Sequence, residues 1–316
     1  MPLVPSRQHS TTFLYKSERD AEVDKNFCAM GFFVGVPSIH VGHYFLYMVT
    51  NEHVVKDMKR VFARVHMCRN QELRGHFREP DDLAIAEIQA NKFVTNRDND
   101  LAAVQFHLEP NPAYLINYTP IQDLIVDFRR LPYRELLGSD IPFVGVGDEV
   151  FMLSRVCQKG VQYRKENIQV ARFGNVALVP KHEEPFFLTE MRSVAGHSGS
   201  PVWVVLPGFD DEPKWKICGT PGRHKHFGMR LLGINSGHLP EYEPIVTFDA
   251  KGQTQPHTRW LSQTNMSIAQ VVPAWLIAEL LNCEEFTRRR EAGDAIVETK
   301  RAEIVKDCIQ LPAPRK

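Results

Sequence analysis

No apolar run in this 316-residue chain approaches the roughly 20 residues that a helix needs to cross a bilayer, so no helical membrane anchor is expected. Net charge is also missing: 38 Lys plus Arg stand against 38 Asp plus Glu. That balance removes the global electrostatic case for a nucleic-acid or anionic-membrane partner. The Arg288–Arg290 run does not restore it, because Glu284, Glu285 and Glu291 flank it; it reads as a solvated helix face. Six cysteines (Cys28, Cys68, Cys157, Cys218, Cys283, Cys308) are scattered with no CxxC pair. Such spacing implies reduced, mostly buried thiols rather than a disulfide framework. The opening MPLVPSRQHSTTFLYKSERD lacks a basic segment followed by an apolar core and a small-residue cleavage site. It does not read as a secretory signal, and a cytoplasmic location is expected. There is no internal repeat and no low-complexity tract.

What is present is β-rich. Hydrophobic residues are 43% and charged residues 24%, an ordinary globular balance, and the length suits one large domain or two small ones. Short apolar runs bounded by Gly, Pro, Asn and Asp recur at 31–36 (GFFVGV), 44–50 (YFLYMVT), 101–106, 149–153, 168–173, 176–179, 186–191, 202–205, 231–235 and 267–272. Many short strands with turn signals between them predict an all-β barrel or sandwich. A helix is predicted from Pro273 to about Arg290, with Leu276, Ile277, Leu280 and Leu281 on one stripe. The stretch 109–140, with Pro110, Pro112, Pro120 and Pro132, suits an inter-barrel connection. Segments 207–230 and 239–265 read as long polar loops, and the residues from about Ala292 as a charged tail, disordered or docked on a partner.

Three local patterns carry chemistry. Gly196-His197-Ser198-Gly199-Ser200-Pro201 is a glycine-rich turn with a hydroxyl at its tip, leading into an apolar strand. Glycine on both sides of Ser198 permits unusual backbone torsions, and the amides of Gly196 and Ser198 could converge on one oxygen, as an oxyanion hole requires. Val49-Thr50-Asn51-Glu52-His53-Val54-Val55 ends a strand and presents a histidine on the turn. Asn99-Asp100-Leu101 places an aspartate at the start of an apolar strand. Taken singly, each has a plainer reading: a turn, a structural histidine, a turn cap. Together they fall in the order His, Asp, Ser, 47 and 98 residues apart, which is one of the known orders for a nucleophile triad.

VTNEHVV resembles the VTNxHVV segment around the catalytic histidine of trypsin-like peptidases of the HtrA-like kind. NDLAAV is similar to their DLAVL segment and GHSGSPV to their GNSGGPV or GNSGSPV turn. The weaker pieces GFFV, GDEV and LGIN and the segment 269–281 also resemble them, so the likeness covers roughly residues 25–290; no PDZ-type segment follows. The resemblance implies a double six-stranded β-barrel of the chymotrypsin kind with a C-terminal helix. Its expected divisions are an N-terminal extension over 1–24, a peptidase domain over 25–290 and a charged tail over 291–316. Within the domain, barrel one spans about 25–125, barrel two about 140–272 and the helix 273–290.

It also implies a serine endopeptidase acting through an acyl-enzyme. Ser198 would be the nucleophile, His53 the general base and then acid, and Asp100 the group that orients the imidazole, with Gly196 and Ser198 amides as oxyanion donors. Ser200 and Asp98 are the runners-up. His197 stands where secreted trypsins carry an aspartate that pairs with a new N-terminus, so zymogen cleavage is not expected; an exposed turn histidine is the reading. Arg192 falls at the position of the pocket base, with Ser193 beside it, and Ser236, Gly237 and His238 match the segment that pairs with the substrate backbone. A cation at the base would favour an acidic residue before the scissile bond; the alternative is that Arg192 points away. Cys218, His224, His226 and His238 fit no common zinc spacing, and neither metal nor organic cofactor is expected. The implied partner is a peptide or protein substrate, with a regulatory protein or an oligomer compatible with the long loops. Rival readings are an inert protease-fold binding module and an esterase using the same triad.

Overall fold

In the computed structural model, residues 10–69, 82–107, 114–127, 143–155, 169–181, 185–206, 228–248 and 251–309 are described. The first lobe is built from strands β1 (Thr11–Tyr15), β2 (Ala29–Pro37), β3 (Tyr44–Thr50), β4 (Arg60–Arg69), β5 (Asp82–Gln89), β6 (Val94–Asn96) and β7 (Leu101–Gln105). They form a curled half-barrel sheet in the order β5-β4-β1-β2-β3-β7-β6; β8 (Tyr114–Leu115) joins β4 and β9 (Thr119–Pro120) joins β2. The second lobe is a closed six-strand barrel of β10 (Glu149–Arg155), β11 (Gln169–Leu178), β12 (Phe187–Glu190), β13 (Pro201–Leu206), β14 (Gly228–Phe248) and β15 (Thr254–Pro273). Two one-turn helices, α1 (Glu18–Val23) and α2 (Glu52–Val55), lie in the first lobe, and α3 (Ala274–Leu281) and α4 (Glu284–Ile309) end the chain.

Strand periodicity explains how the lobes meet. Successive side chains of a strand face opposite ways. Phe32, Val34, Tyr47, Val49, Leu101 and Ala103 point to one face, and the residues between them (Phe33, Met48, Ala102, Val104) fill the interior of the first lobe. The barrel does the same: Phe151, Leu153 and Trp203 face outward while Val150, Met152, Val202 and Val204 fill its inside. The two outward sets belong to one continuous core, closed by Ala274, Ile277, Leu280, Leu281 and Phe286 of the last two helices. These strands are apolar on both faces because both faces are buried.

Several sequence expectations need correction. Within the expected extension over 1–24, Thr11–Tyr15 is wholly buried and lies between β2 and β4 as an interior strand of the first lobe. The segment 239–265 is not a loop but a two-stranded ribbon of β14 and β15, pairing from Pro240↔Asn265 out to Phe248↔Thr254. The two strands expected at 168–173 and 176–179 are one bulged strand, β11. The C-terminal helix is two helices broken at Asn282–Cys283, and the tail continues as helix to Ile309. Arg288 and Arg289 do pair with Glu284 and Glu285 on the surface. Arg290 instead turns inward, donating to the Leu281 carbonyl at 2.6 Å and to Tyr47 Oη at 3.1 Å. Farther on, Asp294 is buried, accepts from Ser38 Oγ, and offers its carbonyl to His40 Nε2 at 3.1 Å. Helix α4 thereby straps the end of the chain to the first lobe. Most of the expected loop 207–230, with Cys218, His224 and His226, lies outside the described residues, as do 128–142 of the expected connection.

Candidate active site

Each candidate side chain is aimed by local structure. β3 ends at Thr50, and α2 turns the chain once. Val54 and Val55 are buried in the first lobe, which leaves His53, 39% exposed, facing the seam. Asp100 has left-handed backbone, φ 51°, a conformation that Asp tolerates better than most residues. That twist offers its carbonyl to Glu52 N–H (3.2 Å) and Asn51 Nδ2 (3.1 Å), and its carboxylate to His53 N–H (2.9 Å). The serine turn comes from the other lobe, with Gly196 at φ 92° and Gly199 at φ 86°.

The three side chains meet across the seam. His53 Nδ1 lies 2.9 Å and 2.8 Å from the Asp100 carboxylate oxygens, and His53 Nε2 lies 3.0 Å from Ser198 Oγ. A carboxylate accepts only, so Nδ1 carries the hydrogen and Nε2 is left to accept from the Ser198 hydroxyl. The runners-up are not in this chain of bonds. Ser200 is wholly buried with no hydrogen-bond partner on Oγ, and Asp98 is exposed.

Main-chain and side-chain bonds hold the Ser198 turn. Met30 N–H donates to the Ser198 carbonyl at 2.8 Å, tying the turn to the first lobe. Asn235 holds the turn from the barrel side: Nδ2 donates to the His197 carbonyl (3.0 Å) and to Ser193 Oγ (3.1 Å). Its main chain bonds Gly199 N–H and the Ser200 carbonyl. Among the described residues, the amides of Gly196 and Ser198 meet no acceptor. A pocket of about 660 Å³ opens beside His53 and Ser198, with Lys16, Glu18, Cys28 and Asp57 among its lining.

His197 is not an exposed turn residue. It is wholly buried, with Nδ1 accepting from Val194 N–H at 3.3 Å and Nε2 facing the Arg155 carbonyl at 3.0 Å. Both ring nitrogens are satisfied only when the ring is neutral. Burial, and secondarily the charge of Arg172, push its pKa down to about 4 from 6.5. The unfolded chain therefore takes up a proton between pH 6.5 and 4 that the folded chain refuses. This contribution to stability is whole above pH 6.5 and is lost as pH falls towards 4, by about 3 kcal/mol. Urea unfolding at pH 7 and pH 4.5 should show His197→Gln losing less stability than the natural chain; equal losses would refute this.

The residues expected to set specificity divide. Arg192 is exposed rather than enclosed as a pocket floor would be, while Ser193 is buried beneath Asn235. Ser236, Gly237 and His238 lie half-buried on β14. The sequence reading missed the supporting residues Asn235 and Asn265, whose Nδ2 donates to the Ser193 carbonyl. A single asparagine inside the apolar run LLGIN is a legible sign of a buried amide that needs partners; Asn265 had no such sign.

No family model and no curated protein matches this chain. Among solved structures it is similar to the MamO protease domain from Magnetospirillum magneticum (14% identical, 88% of this chain and 98% of that one, TM-score 0.44). It is similar also to a serine endoprotease from Yersinia pestis (14%, 91% and 68%, TM-score 0.43) and to neuropsin, a serine protease of mouse brain (11%, 88% and 95%, TM-score 0.42). Likeness at this level brings neither activity nor substrate to this chain. By its own topology, a half-barrel sheet facing a closed six-strand barrel with helices at the C-terminus, the chain has a chymotrypsin-like fold.

Proposed function

We propose that this protein is a serine endopeptidase. The observation that carries the reading is the continuous hydrogen-bonded path from Ser198 Oγ through His53 to Asp100, assembled from two lobes. As the hydroxyl attacks a carbonyl carbon, its proton moves to His53 Nε2, and the Asp100 carboxylate stabilises the imidazolium that results. The Gly196 and Ser198 amides supply the two donors for the oxyanion. His53 then returns the proton to the leaving amine, and a water repeats the sequence to release the acyl group. The substrate is a peptide or protein, and no step needs a metal or organic cofactor. A fluorophosphonate probe should label Ser198 of the natural chain. An unlabelled protein refutes the proposal.

A further inference from the structure

The lobes share a second, buried ionic group behind the serine turn. Asp24 follows α1 with left-handed backbone, φ 55°, and its side chain has no exposed surface. Its Oδ1 accepts from Tyr15 Oη at 2.5 Å and lies 2.7 Å from Arg155 Nη1 and 3.3 Å from Arg64 Nη1. Arg155 also donates to Tyr15 Oη at 3.1 Å, and its guanidinium sits 5.1 Å and 4.8 Å from the ring centres of Phe13 and Phe27. Tyr15, Asp24 and Arg64 belong to the first lobe, whereas Arg155 is the last residue of β10 in the barrel.

The carbonyl of that same Arg155 receives the His197 Nε2 hydrogen. His197 stands between Gly196 and Ser198, the two residues whose amides face the oxyanion. The ladder of β10 ends at Arg155↔Gln169, and a strand end frays unless its side chain is anchored. We infer that Asp24 is a positioning residue for the oxyanion turn, acting through Arg155 and His197; this rests on the peptidase reading. Without the carboxylate, two buried guanidiniums lose the counter-charge they share, and a buried cation that loses an ion pair is driven towards water. Arg155 then carries its carbonyl away, and the turn loses the bond that fixes His197. A displacement near 1 Å at a reacting centre lowers turnover on the order of 100-fold.

The test is a double-mutant cycle on the full chain with Asp24→Asn, His197→Gln and both together. Turnover of a peptide substrate is measured alongside amide hydrogen exchange over residues 193–200. Each single variant should lose about 10- to 100-fold in kcat with KM within about threefold, and the double variant should be no worse than the poorer single. Asp24→Asn should raise exchange across 193–200 while β13 and β14 stay protected. Multiplied losses in the double variant, or unchanged exchange, overturn the inference. If Asp24→Asn does not fold, Asp24→Asn with Arg155→Met removes the charge imbalance. Recovered stability with kcat still low supports positioning, and full kcat overturns it. If the natural chain neither turns over nor takes up a fluorophosphonate, the peptidase reading falls alone, and the exchange comparison still decides whether Asp24 holds the turn.

Discussion

Ser198→Ala should lower kcat by about 10⁴- to 10⁶-fold with KM little altered, since the hydroxyl acts in the reaction and not in binding. The expectation is tied to one bond: Ser198 Oγ is the hydroxyl 3.0 Å from His53 Nε2. Ser200, two residues on, is the internal comparison. Its Oγ is buried and without a hydrogen-bond partner, so Ser200→Ala should stay within about tenfold of the natural rate. Rates for both variants on one peptide substrate settle the assignment. Comparable losses, or a large loss only at Ser200, would remove Ser198 from the nucleophile's role.

The second large effect is expected at Gly199. Its φ of 86° costs an L-residue about 1–2 kcal/mol, and a Cβ there would sit 1.8 Å from the Met30 carbonyl oxygen and 2.8 Å from Thr50 Oγ1. The obstruction is main chain of the opposite lobe, held in turn by Thr50 Oγ1 donating to that carbonyl at 2.8 Å. Relief requires the lobes to part, which draws Ser198 from His53. Gly199→Ala should therefore destabilise by about 3 kcal/mol or more and cut activity by at least about 100-fold. Gly147 separates strain from collision, because it has φ 93° with nothing within 4 Å of a Cβ. Gly147→Ala should cost only the backbone term, about 1 kcal/mol. Denaturant unfolding of the two variants makes the comparison, and equal losses would mean that the seam yields freely.

The site was legible because its three parts are local: a histidine one turn past a strand, an aspartate leading a strand, a serine between glycines. Their meeting was legible only through order and spacing. What escaped notice escaped for physical reasons. Arg64 is buried within β4 and paired with Asp24, and a pattern that assigns charge to solvent cannot find a strand whose charge is paired inside. The arms of β14 and β15 beyond the barrel include exposed residues such as Tyr242 and Leu261. They lack the one apolar face that marks a strand, and they carry Pro240 and Pro244, which donate no ladder bond. His197 shares its turn with exposed Ala195 and half-buried Ser198; nothing near it in the chain announces Arg155, its partner 42 residues away.

The strap formed by α4 has a consequence for how activity would be lost. Its contacts join residues 243 to 256 positions apart, Arg290 to Tyr47 and Asp294 to Ser38. These polar links add to the burial of Phe286 in the shared core, yet the last helix of a chain opens locally at lower free energy than an interior strand. Undocking the final helix would withdraw Phe286 from the core that both lobes share, and so weaken the seam across which His53 meets Ser198 while both sheets keep their ladders. Warming should thus abolish the proposed turnover ahead of cooperative melting, leaving a folded but idle protein.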